Sequence, residues 1–309
     1  MICFCGRKAV YEKAGNALCK EHFIESFEKR VFSTIEEHSL FKDAKSIAVA
    51  ASGGKDSTVL LYLVKKYTEL QKKQHSRNMT LEAIAIDEGI KGYRQETLDF
   101  LKSFCKKHLV YLKILSFEEA FGFTLDSAVK KLGRRYGPCT MCGAFRRTLI
   151  NKAGRGYDVV ATGHNLDDEA QGILMNIFKS NTGFLPRLGI RPGAVHHPLF
   201  STRVKPLYFC PEKEVFLYSF LKGFQVPFTE CPYAASAYRD IPRRLISELQ
   251  KHEPLAKEKI LAAFLNILPA LRVSVEKKEI LACSLCREPS AGKVCKACEI
   301  KSAFVASGQ

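Results

Sequence analysis

A short segment rich in glycine and small polar residues offers the clearest chemistry in this sequence. It follows an apolar run at 47–51 and precedes a helical pattern. Two adjacent glycines let the backbone turn tightly and direct successive N–H groups at an anion. A lysine adds positive charge, and the helix that begins there favours a negative ligand at its N-terminus. The pattern predicts a phosphate-binding loop made of Ser52, Gly53, Gly54, Lys55, Asp56 and Ser57.

This loop is not a Walker A motif, which needs a glycine five positions before its Gly-Lys pair and Ser or Thr after it. Val49 and Asp56 occupy those two positions. An ordinary Gly-rich turn between a strand and a helix is the simpler alternative. The complete segment nevertheless resembles the PP-loop of the N-type ATP pyrophosphatase superfamily, whose members adenylate a substrate and release pyrophosphate. This resemblance implies that ATP is bound here.

A second group of polar residues follows a later strand-like run. Asp167 and Asp168 open a helix, where acidic side chains stabilise the N-terminus by about 0.3–1 kcal/mol without any catalytic role. Their position just after Gly163 also puts them at the ligand-binding edge of the predicted sheet. Mg²⁺ prefers carboxylate oxygen. We therefore expect Asp167 to be catalytic and Gly163 and Asp168 to line an ATP–Mg²⁺ site, with Asp87 near the adenosine.

Both ends of the chain carry sets of residues suited to a tetrahedral zinc ion. The C-terminal set has the spacing C-x2-C-x8-C-x2-C and comprises Cys283, Cys286, Cys295 and Cys298. The N-terminal set comprises Cys3, Cys5, Cys19 and His22, with a first pair one residue shorter than the usual C-x2-C. Modules this short cannot build a core, so metal binding must supply much of their folding energy. We expect two Zn²⁺ sites.

A third cysteine set has a different character. Cys139 and Cys142 form a C-x2-C pair inside the α/β region, and the best distant partner is Cys231. Three thiolates suit a metal centre with an open position, or a redox and persulfide relay. A structural zinc completed by a further ligand remains a third possibility. The two basic residues that follow, Arg146 and Arg147, stay charged at any working pH and therefore do not offer lysine-type proton transfer.

The elements that must position these residues alternate between strand and helix. Apolar runs predict strands over 46–51, 81–87, 110–115 and 157–162, and helical patterns cover 56–72, 94–107 and 166–179. This alternation predicts an α/β fold with a doubly wound parallel sheet and ligands at the carboxyl ends of the strands. Residues 180–211 are predicted to form a long ordered loop, and helical spacing returns from 241 to 275.

We divide the chain on these grounds. The predicted parts are an N-terminal zinc module at 1–24, a PP-loop domain at 25–240, a helical extension at 241–275 and a C-terminal zinc module at 276–309.

The composition indicates the compartment and a partner. Forty-eight Lys and Arg against 32 Asp and Glu give a net charge of +16, which favours a polyanion. The start lacks the apolar core of a signal peptide, and no apolar run reaches about 18 residues. We expect a cytoplasmic protein that has no membrane partner. Candidate contacts to nucleic-acid phosphates are Arg134, Arg135, Arg187, Arg191, Arg203, Lys205, Arg239, Arg243 and Arg244.

Taken together, the motifs resemble those of tRNA 2-thiouridine synthetases of the TtuA branch, which includes archaeal and eukaryotic wobble-uridine thiolases. The matching segments, in order, are 52–57, 87–90 with 92–94, 139–143, 163–170 and 230–233. The resemblance implies that Cys139, Cys142 and Cys231 hold a [4Fe-4S] cluster whose fourth iron is free to bind sulfide. It also implies a tRNA substrate, a ubiquitin-like thiocarboxylate carrier as sulfur donor, a HUP-like fold and a homodimer.

The predicted function is ATP-dependent 2-thiolation of a tRNA uridine. In this reaction the C2 oxygen is adenylated and then replaced by sulfur. Two alternatives are an ATP-dependent PP-loop ligase that modifies tRNA by amine transfer, and a non-catalytic zinc-ribbon RNA binder. The sequence leaves open whether U34 or U54 is modified, and whether sulfur comes from cluster sulfide or from a persulfide.

Overall fold

The computed structural model describes residues 1–13, 15–193, 198–234, 238–274 and 280–307. The chain begins with a small antiparallel hairpin and a long helix. These elements are β1 (Tyr11–Lys13), β2 (Asn16–Leu18) and α1 (Lys20–Glu37). The predicted N-terminal module ends at residue 24, and α1 continues through this position. The domain boundaries stay a prediction.

A parallel sheet of five strands forms the centre of the molecule. Its strands, in chain order, are β3 (Ser46–Ala50), β4 (Thr80–Asp87), β5 (Tyr111–Ser116), β6 (Val159–Thr162) and β7 (Arg203–Val204). Across the sheet the order is β5-β4-β3-β6-β7. The chain builds outward from β3 in both directions, so a crevice opens beyond the carboxyl ends of β3 and β6. This confirms the predicted doubly wound α/β fold.

Helices cover the sheet and extend beyond it. They are α2 (Lys55–His75), α3 (Arg94–Lys107), α4 (Phe117–Phe121), α5 (Leu125–Leu132), α6 (Pro138–Gly154), α7 (Leu166–Phe178), a 3-10 helix (Thr182–Arg187), α8 (Glu212–Leu221), α9 (Asp240–Leu249) and α10 (Ala256–Val273). The C-terminus adds β8 (Leu281–Ala282), β9 (Pro289–Ser290) and α11 (Lys296–Ala306). The predicted helix over 94–107 is confirmed. The prediction of a long loop over 180–211 was wrong in part, because this stretch holds β7 and the 3-10 helix.

Alternating side chains of β3 divide the core between the two faces of the sheet. Ile47 and Val49 pack with α1, α2, α3 and α8, whereas Ala48 faces α5 and α6. This alternation is what a strand covered on both sides requires. A third cluster joins α10 to α7, with Phe264 and Leu268 packed near Ile173.

The C-terminal segment packs directly on α6. Cys283 and Ile300 are fully buried in the same cluster as Met141 and Phe145 of α6. Since α6 also carries Cys139, the terminal module supports the helix that presents a candidate ligand.

Asp158 ties the start of β6 to the start of β3. One of its oxygens accepts hydrogen bonds from the Lys45 amide at 2.9 Å, the Ser46 amide at 2.8 Å and the Ser46 hydroxyl at 2.9 Å. These bonds stabilise the carboxylate and lower the pKa of Asp158, with the Lys45 amide contributing most.

Among the described residues, no helix combines the length and apolar character that crossing a membrane would need.

Candidate active site

The Gly-rich segment forms a tight loop between β3 and α2. Gly53 has a φ of +80°, and a Cβ there would lie 2.3 Å from the Thr97 carbonyl oxygen. Both facts require glycine. Gly54 has an ordinary φ, and a Cβ there would meet only the Ser52 hydroxyl at 3.4 Å. The two glycines therefore have different roles, one conformational and one permissive.

Ser57 holds the loop closed. Its hydroxyl accepts a hydrogen bond from the Ser52 amide at 3.0 Å and donates one to the Gly54 carbonyl at 3.0 Å. The hydroxyls of Ser57 and Ser52 also lie 3.0 Å apart. The first turn of α2 thus has its N–H groups close to the loop, where an anion is favoured.

Lys55 lies between two carboxylates. Its ammonium donates to Asp56 at 3.0 Å and to Glu212, the first residue of α8, at 2.6 Å. Burial alone would lower the pKa of Lys55, but these two acids raise it above its ordinary value. Burial raises the pKa of Asp56, and the nearby Asp168 carboxylate adds to this effect against the opposing influence of Lys55. Lys55 therefore stays charged, poised beside the loop.

The acidic strand end lies against this loop. A Cβ on Gly163 would come 3.0 Å from the Ser57 amide nitrogen, so the two segments approach closely. Asn165 caps α7 and donates its side-chain amide to Asp56 at 3.0 Å. Asp168 completes the capping box and forms an ion pair with Arg239, whose Nη1 lies 2.6 Å from its Oδ1. The structure thus brings Asp56 and Asp168 together, as the sequence predicts.

Asp167 has a different environment. It is 5% exposed, and one oxygen accepts the Glu212 amide at 2.8 Å while the other is paired with Lys257. Both oxygens therefore bind groups of the chain itself. Asp87, at the end of β4, accepts the Gly89 amide at 2.9 Å and so shapes the turn that follows.

The three cysteines of the central set converge. Cys139 and Cys142 lie one turn apart on α6, which begins at Pro138, and so share a helix face. Cys231 is close enough for its charge to raise the pKa of Cys142, and the Cys139 charge acts on Cys231 in the same way. Tyr233 anchors this segment by donating its hydroxyl to Asp126 at 2.7 Å.

Burial is the main influence on two of these thiols. Burial raises the pKa of Cys142 to about 11, although the positive charge of Arg146 acts to lower it. Burial also raises the pKa of Cys231. Two groups among the described residues have all their ligand atoms within 4.8 Å of one another, and Cys139, Cys142 and Cys231 do not form such a group. Three thiolates can be the ligands of an iron–sulfur cluster, in which each thiolate binds a different iron.

A small cavity lies beside the phosphate loop and α6. Its volume is about 20 Å³, and its lining includes Ser52 of the loop and Arg146, one turn beyond Cys142. Two further lining residues, Glu88 and Arg94, are buried. Helix α6, which carries Cys139 and Cys142, therefore reaches the same cavity as the nucleotide loop through Arg146.

The two terminal sets also come together. Cys3, Cys5, Cys19 and His22 form one compact group, and Cys283, Cys286, Cys295 and Cys298 form the other. In the first, the shortened C-x-C pair is accommodated, with His22 Nδ1 at 3.2 Å from the Cys3 sulfur. In the second, the Cys295 amide points at the Cys283 sulfur at 3.3 Å. Both donor sets fit one tetrahedral ion.

Two of the predicted phosphate contacts are engaged elsewhere. Lys205 is 6% exposed and pairs with Glu169 at 2.7 Å, so this candidate is a buried counter-ion in the structure. Arg239 pairs with Asp168. A basic residue in a loop cannot be recognised as buried from its neighbours in sequence, because its counter-ion comes from another element.

Several site residues escaped sequence reasoning. Glu88 and Arg94 lie within a matched motif, and their position after β4 was a usable signal. Glu212 and Lys257 lie far from any motif. Only the fold brings the last two to the loop and the acidic strand end.

Comparison with known proteins agrees with this geometry. The PP-loop domain family, ATP_bind_3, matches residues 23–235. Cytoplasmic tRNA 2-thiolation protein 1 from Drosophila sechellia and that from Drosophila melanogaster are each 38% identical over 299 residues, covering 95% of this chain and 84% of the relative. The chain belongs to this family of PP-loop proteins.

A solved structure extends the comparison. The chain is similar to the U34-tRNA thiolase NcsA from Methanococcus maripaludis, described with its [4Fe-4S] cluster, at a TM-score of 0.81 and 32% identity. The match covers 98% of this chain and 96% of that one. The family resemblance and the fold class predicted from the sequence are therefore confirmed.

Proposed function

We propose that this protein is a cytoplasmic, ATP-dependent tRNA sulfurtransferase that forms 2-thiouridine. One observation carries the proposal: the cavity beside the nucleotide loop is lined both by Ser52 of the loop and by Arg146, which lies one turn after Cys142 on α6. The named activity of the 38% identical relatives and of the thiolase NcsA supports the same conclusion. The NcsA match favours U34 as the modified base.

ATP is the first substrate. Its terminal phosphates bind the loop from Ser52 to Ser57, close to Gly163, with the adenosine toward Asp87. Asp56 and Asp168 would hold Mg²⁺, because both are partly exposed carboxylates in electrostatic contact. Asp167 acts indirectly, since both its oxygens already hold Glu212 and Lys257 in place.

The first chemical step converts a poor leaving group into a good one. The C2 oxygen of the uridine attacks the α-phosphate of ATP, and pyrophosphate leaves. Lys55 and the N–H groups of the loop stabilise the developing negative charge, and the loss of one such donor typically costs about 2.7–4 kcal/mol in the barrier. Sulfur then bonds to C2, the C2–O bond breaks, and AMP leaves with the oxygen.

Cys139, Cys142 and Cys231 would hold the [4Fe-4S] cluster that the family implies. Such a cluster, held by three thiolates, supplies an iron that can bind a labile sulfide. Arg146 lies one turn after Cys142 on α6 and adds a fixed positive charge beside these ligands. A cysteine persulfide is the alternative sulfur carrier at the same position.

The remaining features support the substrate and the frame. The two terminal ligand sets would each hold a structural Zn²⁺. Exposed arginines of the predicted set, such as Arg243 and Arg244, would contact tRNA phosphates. The sulfur donor, a ubiquitin-like thiocarboxylate carrier, and the homodimer remain proposals that rest on the family resemblance.

The deciding experiment uses protein purified without oxygen. Lys55→Ala should lose tRNA-dependent ATP–pyrophosphate exchange and thiolation, measured by mass spectrometry, while its iron, sulfide and zinc contents stay those of the wild type. Lys65→Ala is the matched control, because Lys65 lies on the same helix and pairs with Glu69 one turn away. Thiolation retained by Lys55→Ala would refute its assigned role.

Two further outcomes would favour the alternatives. A Cys231→Ser variant that still modifies tRNA would indicate an amine-transferring ligase, since that chemistry needs no thiolate set. Absence of ATP–pyrophosphate exchange with any tRNA would indicate a non-catalytic RNA binder.

A further inference from the structure

A buried carboxylate joins the two halves of the site. Glu88 follows β4 directly and is 6% exposed. One of its oxygens lies 3.0 Å from Arg94 Nε and the other 3.3 Å from Arg146 Nε. Glu88 and Arg94 are both buried, and because a buried charge without its partner is costly, this pair is held to one arrangement, while the Arg146 side chain is 43% exposed.

Arg94 links this carboxylate to the nucleotide loop. It is 3% exposed, and its Nη1 donates to the Ser52 carbonyl at 2.5 Å and to the Thr97 hydroxyl at 3.0 Å. Ser52 is the first residue of the loop. The carbonyl of Thr97 is also the atom that closely approaches Gly53. Arg94 therefore fixes the loop where it leaves β3.

Arg146 links the same carboxylate to the cysteine set. It lies four residues after Cys142 on α6, one helical turn away, and its positive charge acts on that thiol against the larger effect of burial. A planar guanidinium with five donors can bind a carboxylate and a thiol at once. The cavity beside these groups has a volume of about 20 Å³, which is room for about one water molecule. The side chains around it therefore have little space in which to move.

We propose that Glu88 is a positioning residue that couples occupancy of the nucleotide loop to the placement of Cys142. The path runs from the Ser52 carbonyl through Arg94, Glu88 and Arg146 to the thiol. When phosphate draws the loop inward, the Ser52 carbonyl moves with it, and the paired side chains transmit that shift to α6. This proposal rests on the proposed function, because it makes ATP the signal that prepares the sulfur site.

The test uses the full-length protein with zinc retained at both terminal sites and without the iron–sulfur cluster, and it has two readouts. Calorimetry measures binding of an ATP analogue with a non-hydrolysable α,β bond in the presence of Mg²⁺. Mass spectrometry measures the rate at which iodoacetamide modifies Cys142, with and without that analogue. In the wild type, saturating analogue should change this rate by about fivefold or more, the lower end of ordinary coupling between two sites. Glu88→Gln should still bind the analogue but lose the rate change.

Three further variants keep the test decisive. Glu88→Asp retains the charge but cannot reach both arginines, and Arg146→Lys offers a point charge that cannot hold Glu88 and Cys142 together. Both should fold and lose most of the response, even if Glu88→Gln fails to fold. The matched control is Arg155→Gln, which removes an ion pair with Glu288 at the other end of α6 and should keep the full response.

The outcomes separate two kinds of failure. If the wild type binds the analogue without any change at Cys142, or if the Glu88 variants keep the full response, the coupling is refuted while thiolation stands on its own assay. If the wild type does not bind the analogue, the proposed function fails and the coupling fails with it.

Discussion

Replacing Lys205 tests whether a basic residue in this site is a buried counter-ion or a contact to RNA. The side chains of Lys205 and Glu169 are 7% and 5% exposed, and their charged atoms lie 2.7 Å apart. Burial raises the pKa of Glu169, although Lys205 opposes this. In Lys205→Met the carboxylate stays buried without its partner. Breaking a buried pair in this way costs about 3–5 kcal/mol.

Thermal unfolding at neutral pH measures the loss. For a chain this long, each kcal/mol shifts the midpoint by about 2 °C, so we expect a fall of roughly 6–10 °C. Without Lys205, the folded-state pKa of Glu169 rises further above its unfolded value. The variant's carboxyl therefore binds a proton as the pH falls, and the stability gap to the wild type shrinks on acidification. The double variant Lys205→Met/Glu169→Gln should recover most of the loss.

Arg244→Met is the matched control. The Arg244 side chain is 75% exposed and pairs with Asp240 on the surface, a contact worth about 0–1 kcal/mol. Its melting point should hardly change, whereas the salt dependence of tRNA binding should fall by about one unit of slope if Arg244 contacts phosphate. Lys205→Met should leave that slope unchanged. A reduced slope with unchanged melting in Lys205→Met would refute the counter-ion argument.

Three other predictions follow from the same structure. In Gly53→Ala the alanine must adopt a left-handed conformation and clashes with Thr97, so the Kd for ATP should rise by about tenfold or more, the equivalent of 1.4 kcal/mol. Gly54→Ala should raise the Kd far less in the same titration, and an equal rise in both variants would contradict the argument. Asp158→Asn should destabilise the fold at neutral pH. The difference in stability from the wild type should disappear as the pH falls through the lowered pKa of Asp158, because protonation removes the same interaction from the wild type. A difference that persists in acid-denaturation curves below that pKa would count against the prediction. Cys283→Ser should lose one zinc per chain and speed proteolysis of both the C-terminal segment and α6, since Cys283 is buried against that helix; unchanged cleavage within α6 would disprove the supporting role.

Much of the site could be predicted because its chemistry is local. The loop from Ser52 to Ser57 needs glycine at one backbone position and a helix start beside it, and both conditions are visible in consecutive residues. The knuckle at Cys295 and Cys298 is equally local, since a metal ion takes ligands from one turn. Strand β7, by contrast, has two residues, too few to carry an alternating pattern, and it was missed.

The amino-acid sequence by itself determined the fold class, the nucleotide loop and the three cysteine sets, because each depends on residue types at short, fixed spacings. The tertiary structure alone decided which charged groups meet: Lys55 with Glu212, Asp167 with Lys257, and Glu88 with two arginines. Such pairs join elements distant in sequence, and burial, which gives them their energy, is a property of the packed chain. For the same reason, Lys205, one of the candidate phosphate contacts in the sequence, is the buried partner of Glu169 in the structure.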